Sequence, residues 1–106
     1  MSDFEKLVGN LLRAGGIKYE REKVFPDIYN GLYRYDYYLP EKNCCIECNG
    51  MQHYIYTKFF HKKKSDFTKA KERDRRKIRG LAAKGMDLYI IPYWEMEQLH
   101  SAADLF

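Results

Sequence analysis

Apolar and polar positions recur along this chain with two different periods, and the changes of period mark its elements. Phe4, Leu7, Val8, Leu11 and Leu12 fall at three- and four-residue spacing, which gathers them on one face of an α-helix. Ser2 and Glu5 form a capping box ahead of that helix, and Gly15-Gly16 stops it. Ile17 to Phe25 alternates imperfectly and predicts an edge strand, after which Pro26 to Gly31 is rich in turn formers. Two further strands come next, Leu32 to Leu39 and Cys44 to Asn49, joined by the turn Pro40-Glu41-Lys42-Asn43. Period-two geometry groups Arg34, Asp36 and Tyr38 on one face of the first, and Cys45, Glu47 and Asn49 on one face of the second. The opposite face, with Cys44, Ile46 and Cys48, is apolar and should pack on a helix.

The second half changes period again. From Ser65 or Asp66 to Lys84 the chain reads as a helix stopped by Gly85, with sparse apolar positions at Phe67, Ala70, Ile78, Leu81 and Ala82. A helix so charged buries only a narrow stripe. Asp87 to Ile91 predicts a short strand ended by Pro92, and a last helix from about Trp94. A helix between the third and fourth strands is what a parallel crossover needs. The expected fold class is α/β, a small mixed sheet flanked by helices in the order helix, three strands, helix, strand, helix.

Length and charge narrow this picture. The chain has 106 residues, which points to one domain over residues 1–106. Net charge is +4, but Lys58 to Lys84 holds twelve Lys/Arg against three acids, a local +9. Such a segment neutralises phosphates or serves as solvated surface. Tyr54, Tyr56, Phe59 and Phe60 precede Lys62, Lys63 and Lys64, and these rings either stack on bases or close over a small core. No signal peptide and no membrane-spanning run is evident, and three cysteines give no disulfide framework. An intracellular, cytoplasmic setting without a membrane partner is expected.

The candidate chemistry lies in the hairpin. Asp36 and Glu47 are placed to meet across neighbouring strands, where like charges need compensation. Mg²⁺ suits two hard carboxylates and keeps its waters, while pairing with Arg34, Lys18 or Lys23 is the alternative. His53 is a general base, a metal ligand, a phosphate contact or an ordinary half-buried histidine. Asp74 and Lys77 share a helix face and either serve a metal and a phosphate or form a surface pair. Zinc on Cys44, Cys45 and Cys48 is disfavoured, because Cys45 points away from the other two.

Arg34-Tyr-Asp36-Tyr-Tyr-Leu-Pro-Glu-Lys-Asn43, followed by Cys45-Ile-Glu47-Cys-Asn49-Gly-Met-Gln52-His53-Tyr54, resembles a nuclease signature. It is similar to restriction-endonuclease-like proteins related to very short patch repair endonucleases and phage-associated homing endonucleases of the same fold. The resemblance covers roughly Phe4 to Tyr93 and implies a minimal restriction-endonuclease-like core. It implies Asp36 and Glu47 as metal ligands and catalytic residues, with Gln52, His53, Asp74, Lys77 and Glu5 completing the catalytic set. It also implies a Mg²⁺- or Mn²⁺-dependent DNA endonuclease or nickase, selective for DNA structure and encoded by a phage in a bacterial host. Arg34, Lys62, Lys63, Lys64, Arg73 and Arg76 are the candidate DNA contacts. Two departures stand out. Relatives have Asp where Asn49 precedes Gly50, and the wider superfamily often has Lys at that position. Asn brings no charge, so Lys77, Gln52 or His53 has to cover the function. The alternatives are a weak or inactive DNA-binding subunit and a phage-encoded protein-interaction factor. So small a chain leaves little for a separate sequence-reading domain, so a homodimer or a partner protein would supply specificity.

Overall fold

The computed structural model describes residues 2–56 and 61–106. Helix α1 spans Asp3–Ala14. Ser2 Oγ accepts the Glu5 backbone N–H at 3.1 Å, which is one half of the expected capping box; the Glu5 carboxylate turns instead to Arg21. The three-four spacing does its expected work, since Phe4, Val8 and Leu12 are buried. Gly16 then takes a left-handed conformation (φ 69°) and turns the chain back toward the sheet.

Four strands come after it, β1 (Glu20–Val24), β2 (Arg34–Leu39), β3 (Cys44–Asn49) and β4 (Asp87–Pro92). They lie in chain order across one sheet. β1 with β2 and β2 with β3 are antiparallel, whereas β3 and β4 are parallel. Helix α2 (Lys64–Ala83) makes the crossover between the parallel pair. One core lies between the sheet and α1, built on Phe4, Val8, Leu12, Tyr37, Leu39, Cys44 and Ile46. A second lies under α2 and joins Phe25, Ile28, Tyr35, Cys45, Leu81 and Met86. The cysteines of β3 divide between the two cores as alternation requires, Cys44 and Cys48 toward α1 and Cys45 toward α2.

Strand β2 departs from strict alternation. Tyr35 packs under α2 and its hydroxyl donates to the Lys77 carbonyl at 2.8 Å, whereas Tyr37 packs under α1 and donates to the Glu5 carbonyl at 2.7 Å. A regular strand would put both rings on one side. At the break Glu22, between the Arg21–Tyr37 and Lys23–Tyr35 pairs of β1 and β2, is left-handed (φ 49°), and on the other side the Asp36 carboxylate accepts the Cys48 N–H at 2.8 Å. Ladder pairing of β2 with β3 runs only from Leu39–Cys44 to Tyr37–Ile46. The expected single face of Arg34, Asp36 and Tyr38 is therefore broken, with Arg34 exposed and Tyr38 leaning on the α2 core.

Two other expectations need correction. The apolar stripe of α2 is thinner than the spacing predicts, for Leu81 alone is fully buried and Ile78 is 43% exposed. The last helix is replaced by two 3-10 segments, Tyr93–Gln98 and Ala102–Leu105. Asp104 explains the interruption, because its carboxylate accepts the N–H groups of His100 and Ser101 and starts a new turn there. That break lets Leu99 and Leu105 both reach the α1 core. No helix among the described residues is long and apolar enough to cross a membrane.

α1 crosses β2 at a glycine. A Cβ on Gly9 would sit 2.6 Å from the Tyr37 hydroxyl oxygen. Gly9→Ala should therefore destabilise the fold by about 1–3 kcal/mol, although alanine favours helix. Urea denaturation measures this directly, and an unchanged midpoint would contradict the contact.

Candidate active site

A cleft of about 440 Å³ opens between α1, the sheet and α2, lined in part by Glu5, Asp36, Glu47, Gln52, His53, Asp74 and Lys77. α1 brings Glu5, β2 brings Asp36 and β3 brings Glu47. The turn after β3 brings Gln52 and His53, and α2 brings Asp74 and Lys77. The structure thus gathers all seven residues that the sequence singled out for chemistry.

Glu47 is the buried centre of this group. Burial pushes its carboxyl up to about 8, the neighbouring Asp36 pushes in the same direction, and Lys77 only partly offsets them. The Lys77 ammonium pairs with Glu47 Oε1 and also donates to the Arg34 carbonyl. Its Nζ lies 4.9 Å from the Tyr35 ring centre. Glu5 pairs with Arg21 Nη2 at 2.7 Å. Its backbone N–H is thus capped by Ser2 while its carboxylate holds a strand arginine.

His53 Nδ1 lies 3.0 Å from Asp74 Oδ2. A carboxylate only accepts, so Nδ1 carries the proton, and in the neutral ring Nε2 is left as the acceptor. Asp74 and Lys77 thus look to different partners, Asp74 to His53 and Lys77 to Glu47. Spacing along α2 shows that they share a face, but a loop-to-helix pair leaves no local signature. The His53–Asp74 pair has no counterpart in the sequence reading for that reason, and the Arg21–Glu5 pair, which joins β1 to α1, has none because its partners meet only once the sheet packs on the helix.

Asn49 is buried beside Tyr54. Tyr54 packs against Tyr93 and Trp94, with ring centres 6.1 and 4.7 Å away. The residue that departs from the nuclease signature thus adjoins the aromatic side chains next to His53. Gln52 folds back over Gly50, where a Cβ would meet its Oε1 at 2.6 Å. Any larger residue at position 50 displaces Gln52 from the cleft.

The candidate DNA contacts spread more widely. Arg73 lines the cleft. Arg76 lies outside it, between the Tyr33 hydroxyl at 3.4 Å and Glu72 at 3.5 Å. Arg34 is exposed at the start of β2, and Lys62, Lys63 and Lys64 are exposed at the start of α2. The Lys63 N–H caps α2 by donating to Asp66 at 3.2 Å. Tyr56 stacks on buried His61 with ring centres 5.8 Å apart, which is a core-closing use of that ring. Lys58, Phe59 and Phe60 lie outside the described residues.

Two hard carboxylates beside each other, with excess negative charge on a buried site, form a donor set that fits a water-retaining cation such as Mg²⁺. Asp36 and Glu47 would hold it. Among the described residues no group of three or more His, Cys, Asp and Glu side chains converges as a ready-made metal cluster. The cysteines are free. Burial pushes the Cys45 thiol up to about 12 and raises Cys44 and Cys48 as well, so they act as small core residues.

A four-stranded mixed sheet with a helix crossover before its parallel strand, flanked by two main helices, is a restriction-endonuclease-like α/β topology. Among solved structures the chain is similar to "Homing Endonuclease I-Bth0305I Catalytic Domain", with a TM-score of 0.62 and 23% identity. The likeness covers 92% of this chain and 83% of that one, and it is a likeness of fold. No family model and no curated protein matches the chain.

Proposed function

We propose that this protein is a divalent-metal-dependent nuclease that hydrolyses phosphodiester bonds in DNA, as an endonuclease or a nickase. The observation that carries the reading is the packing of Asp36, Glu47 and Lys77 with the His53–Asp74 pair in one cleft. The similarity in fold to a homing-endonuclease catalytic domain supports the same class.

Each side chain has a physical task in this scheme. A bound Mg²⁺ or Mn²⁺ would supply positive charge for a phosphate oxygen and acidify a water. Asp36 and Glu47 would hold it, Glu47 giving up its proton to do so, and Lys77 would lower the cost of that ionisation and meet the charge that grows on the phosphate. His53 would take a proton at Nε2, with Asp74 fixing the ring from Nδ1. Lys77 supplies the ammonium that Asn49 cannot. Arg73 and the exposed lysines at the start of α2 would hold the phosphate backbone. A second copy or a partner protein would set where it cuts.

The test is a metal titration against supercoiled plasmid and against duplex, mismatched, branched and single-stranded oligonucleotides. Nicking or linearisation in Mg²⁺ or Mn²⁺ that stops in chelator is expected. Tight DNA binding at low salt without cleavage by either metal would instead make the chain a DNA-binding subunit. Neither binding nor cleavage would leave the protein-interaction reading.

A further inference from the structure

One face of α1 carries cations that lie outside the cleft. Lys6, Asn10 and Arg13 are four and three residues apart, so they stand together on that face. With Tyr19, Arg21 and Tyr37 they line a hollow of about 300 Å³ between α1 and the first two strands. Gly9 also borders it and keeps it open, since a Cβ there would lie 3.6 Å from Arg13 Nη1.

The lining is made of hydrogen-bond donors. Arg13 gives one guanidinium nitrogen to the Tyr19 hydroxyl and the other to Asn10 Oδ1. Both partners accept in those bonds, so the Tyr19 O–H and the Asn10 amide N–H groups remain to donate. Tyr19 is held in turn by the Tyr37 ring, edge to face at 5.1 Å. Arg21 lies 4.7 Å over the Tyr37 ring and reaches Glu5 Oε2 at 2.7 Å and the Asp36 carbonyl at 3.3 Å. No carboxylate lines the hollow, and neither Lys6 nor Arg13 forms an ion pair among the described residues. Cations beside oriented neutral donors, with no negative charge among them, make a seat for an oxyanion.

We propose that this hollow seats a backbone phosphate of DNA on the α1 flank of the cleft, with Lys6, Arg13 and Arg21 on its oxygens. This rests on the DNA-cleavage reading of the cleft. The Arg21–Glu5 pair joins the two places, since Glu5 lines the cleft and Arg21 the hollow. α1 and α2 pack on opposite faces of the sheet. A strand that crosses the cleft carries phosphates on both sides of the reacting one, so cations of α1 and of α2 can grip it together. Two grips fix the direction in which the strand crosses, which the cations of α2 alone leave open.

The experiment uses the full chain and a closed DNA dumbbell, which has internal phosphates and no ends, with Ca²⁺ replacing Mg²⁺ to hold off cleavage. Lys6→Ala and Arg13→Ala should each weaken binding roughly fivefold and lower the salt slope by about one. Tyr19→Phe keeps the charge, so it should weaken binding and leave the slope alone. Lys42→Ala removes the same charge at the β2–β3 turn, outside the hollow and the cleft, and should change neither. Positions 6 and 13 are exposed, so both alanine variants should melt like the parent. In the parent, backbone N–H resonances of residues 9–13 and 19–21 should shift as the dumbbell is added. Parent-like affinity and slope in both alanine variants would overturn the seat, as would an equal loss in Lys42→Ala or a response confined to 5′-phosphorylated linear duplex. Each of these leaves the nuclease reading standing. Absence of DNA binding at low salt overturns both readings and favours an acidic protein partner. Lowered slopes without metal-dependent cleavage keep the seat and remove the nuclease.

Discussion

Asp36→Asn should reduce metal-dependent cleavage by roughly 10³-fold or more while the protein stays folded. The two halves of that expectation come from two atoms of one side chain's surroundings. Asp36 Oδ2 accepts the Cys48 N–H at 2.8 Å, and this bond replaces a rung of the β2–β3 ladder. The asparagine carbonyl can still accept there, so the strands keep their junction. It cannot bring the charge that a divalent cation needs. Asp36→Ala removes both, leaving a partly buried N–H without its acceptor, at a cost of about 1–3 kcal/mol. The pair of variants separates chemistry from scaffolding. Equal cleavage by parent and Asp36→Asn would remove Asp36 from the reaction.

Glu47→Gln should make the metal-free protein more stable above neutral pH while abolishing its activity. In the folded state the Glu47 carboxyl lies at about 8, raised by burial and by Asp36. The native chain therefore binds this proton more tightly than the unfolded chain does. The stability it contributes is fully present below the unfolded value near 4.5, and it is lost as pH rises through about 8. In chelator, the unfolding free energy of the parent should fall across that window, by about 5 kcal/mol at most. Glutamine carries no charge, so the Gln variant should show a flatter profile. Mg²⁺ should restore the parent at pH 8 and leave the variant untouched, because only the ionised pair gains from the cation. Parallel pH profiles for the two proteins would show that Glu47 is not held in this state.

The parts of this molecule that were legible beforehand are those set by local spacing. Phe4, Val8 and Leu12 recur with helical period and are buried against the sheet. Cys44, Cys45 and Ile46 alternate and divide between two cores. The helix ahead of β4 implied a parallel return, and β4 does pair in parallel with β3. Local spacing failed where a side chain took over a backbone role. Nothing in Tyr35-Asp36-Tyr37 announces that the aspartate will accept a strand N–H or that the flanking tyrosines will face opposite helices. The acidic tail misled for a similar reason, since Asp104 reads equally well inside a helix or at its cap. Partners remote in sequence were also invisible. Glu47 with Lys77 and His53 with Asp74 each join a sheet or loop residue to α2, and only the completed crossover decides which face of that helix meets the cleft.

The sparse burial of α2 has a mechanical consequence. The helix is held at separate points rather than along a continuous stripe. At its C-terminal end Leu81 is buried, Gly80 presses on Ile28, and Lys84 is tied to Asp27 at 2.7 Å. Toward its other end the Phe67 ring meets those of Tyr56 and His61 at 6.3 and 5.1 Å, and Lys71 lies over Tyr54. Asp74 and Lys77 sit between these two anchorages, so their register with the carboxylates of the sheet depends on both. A polyanion laid along the exposed cations of α2 would add a third support and stiffen that register.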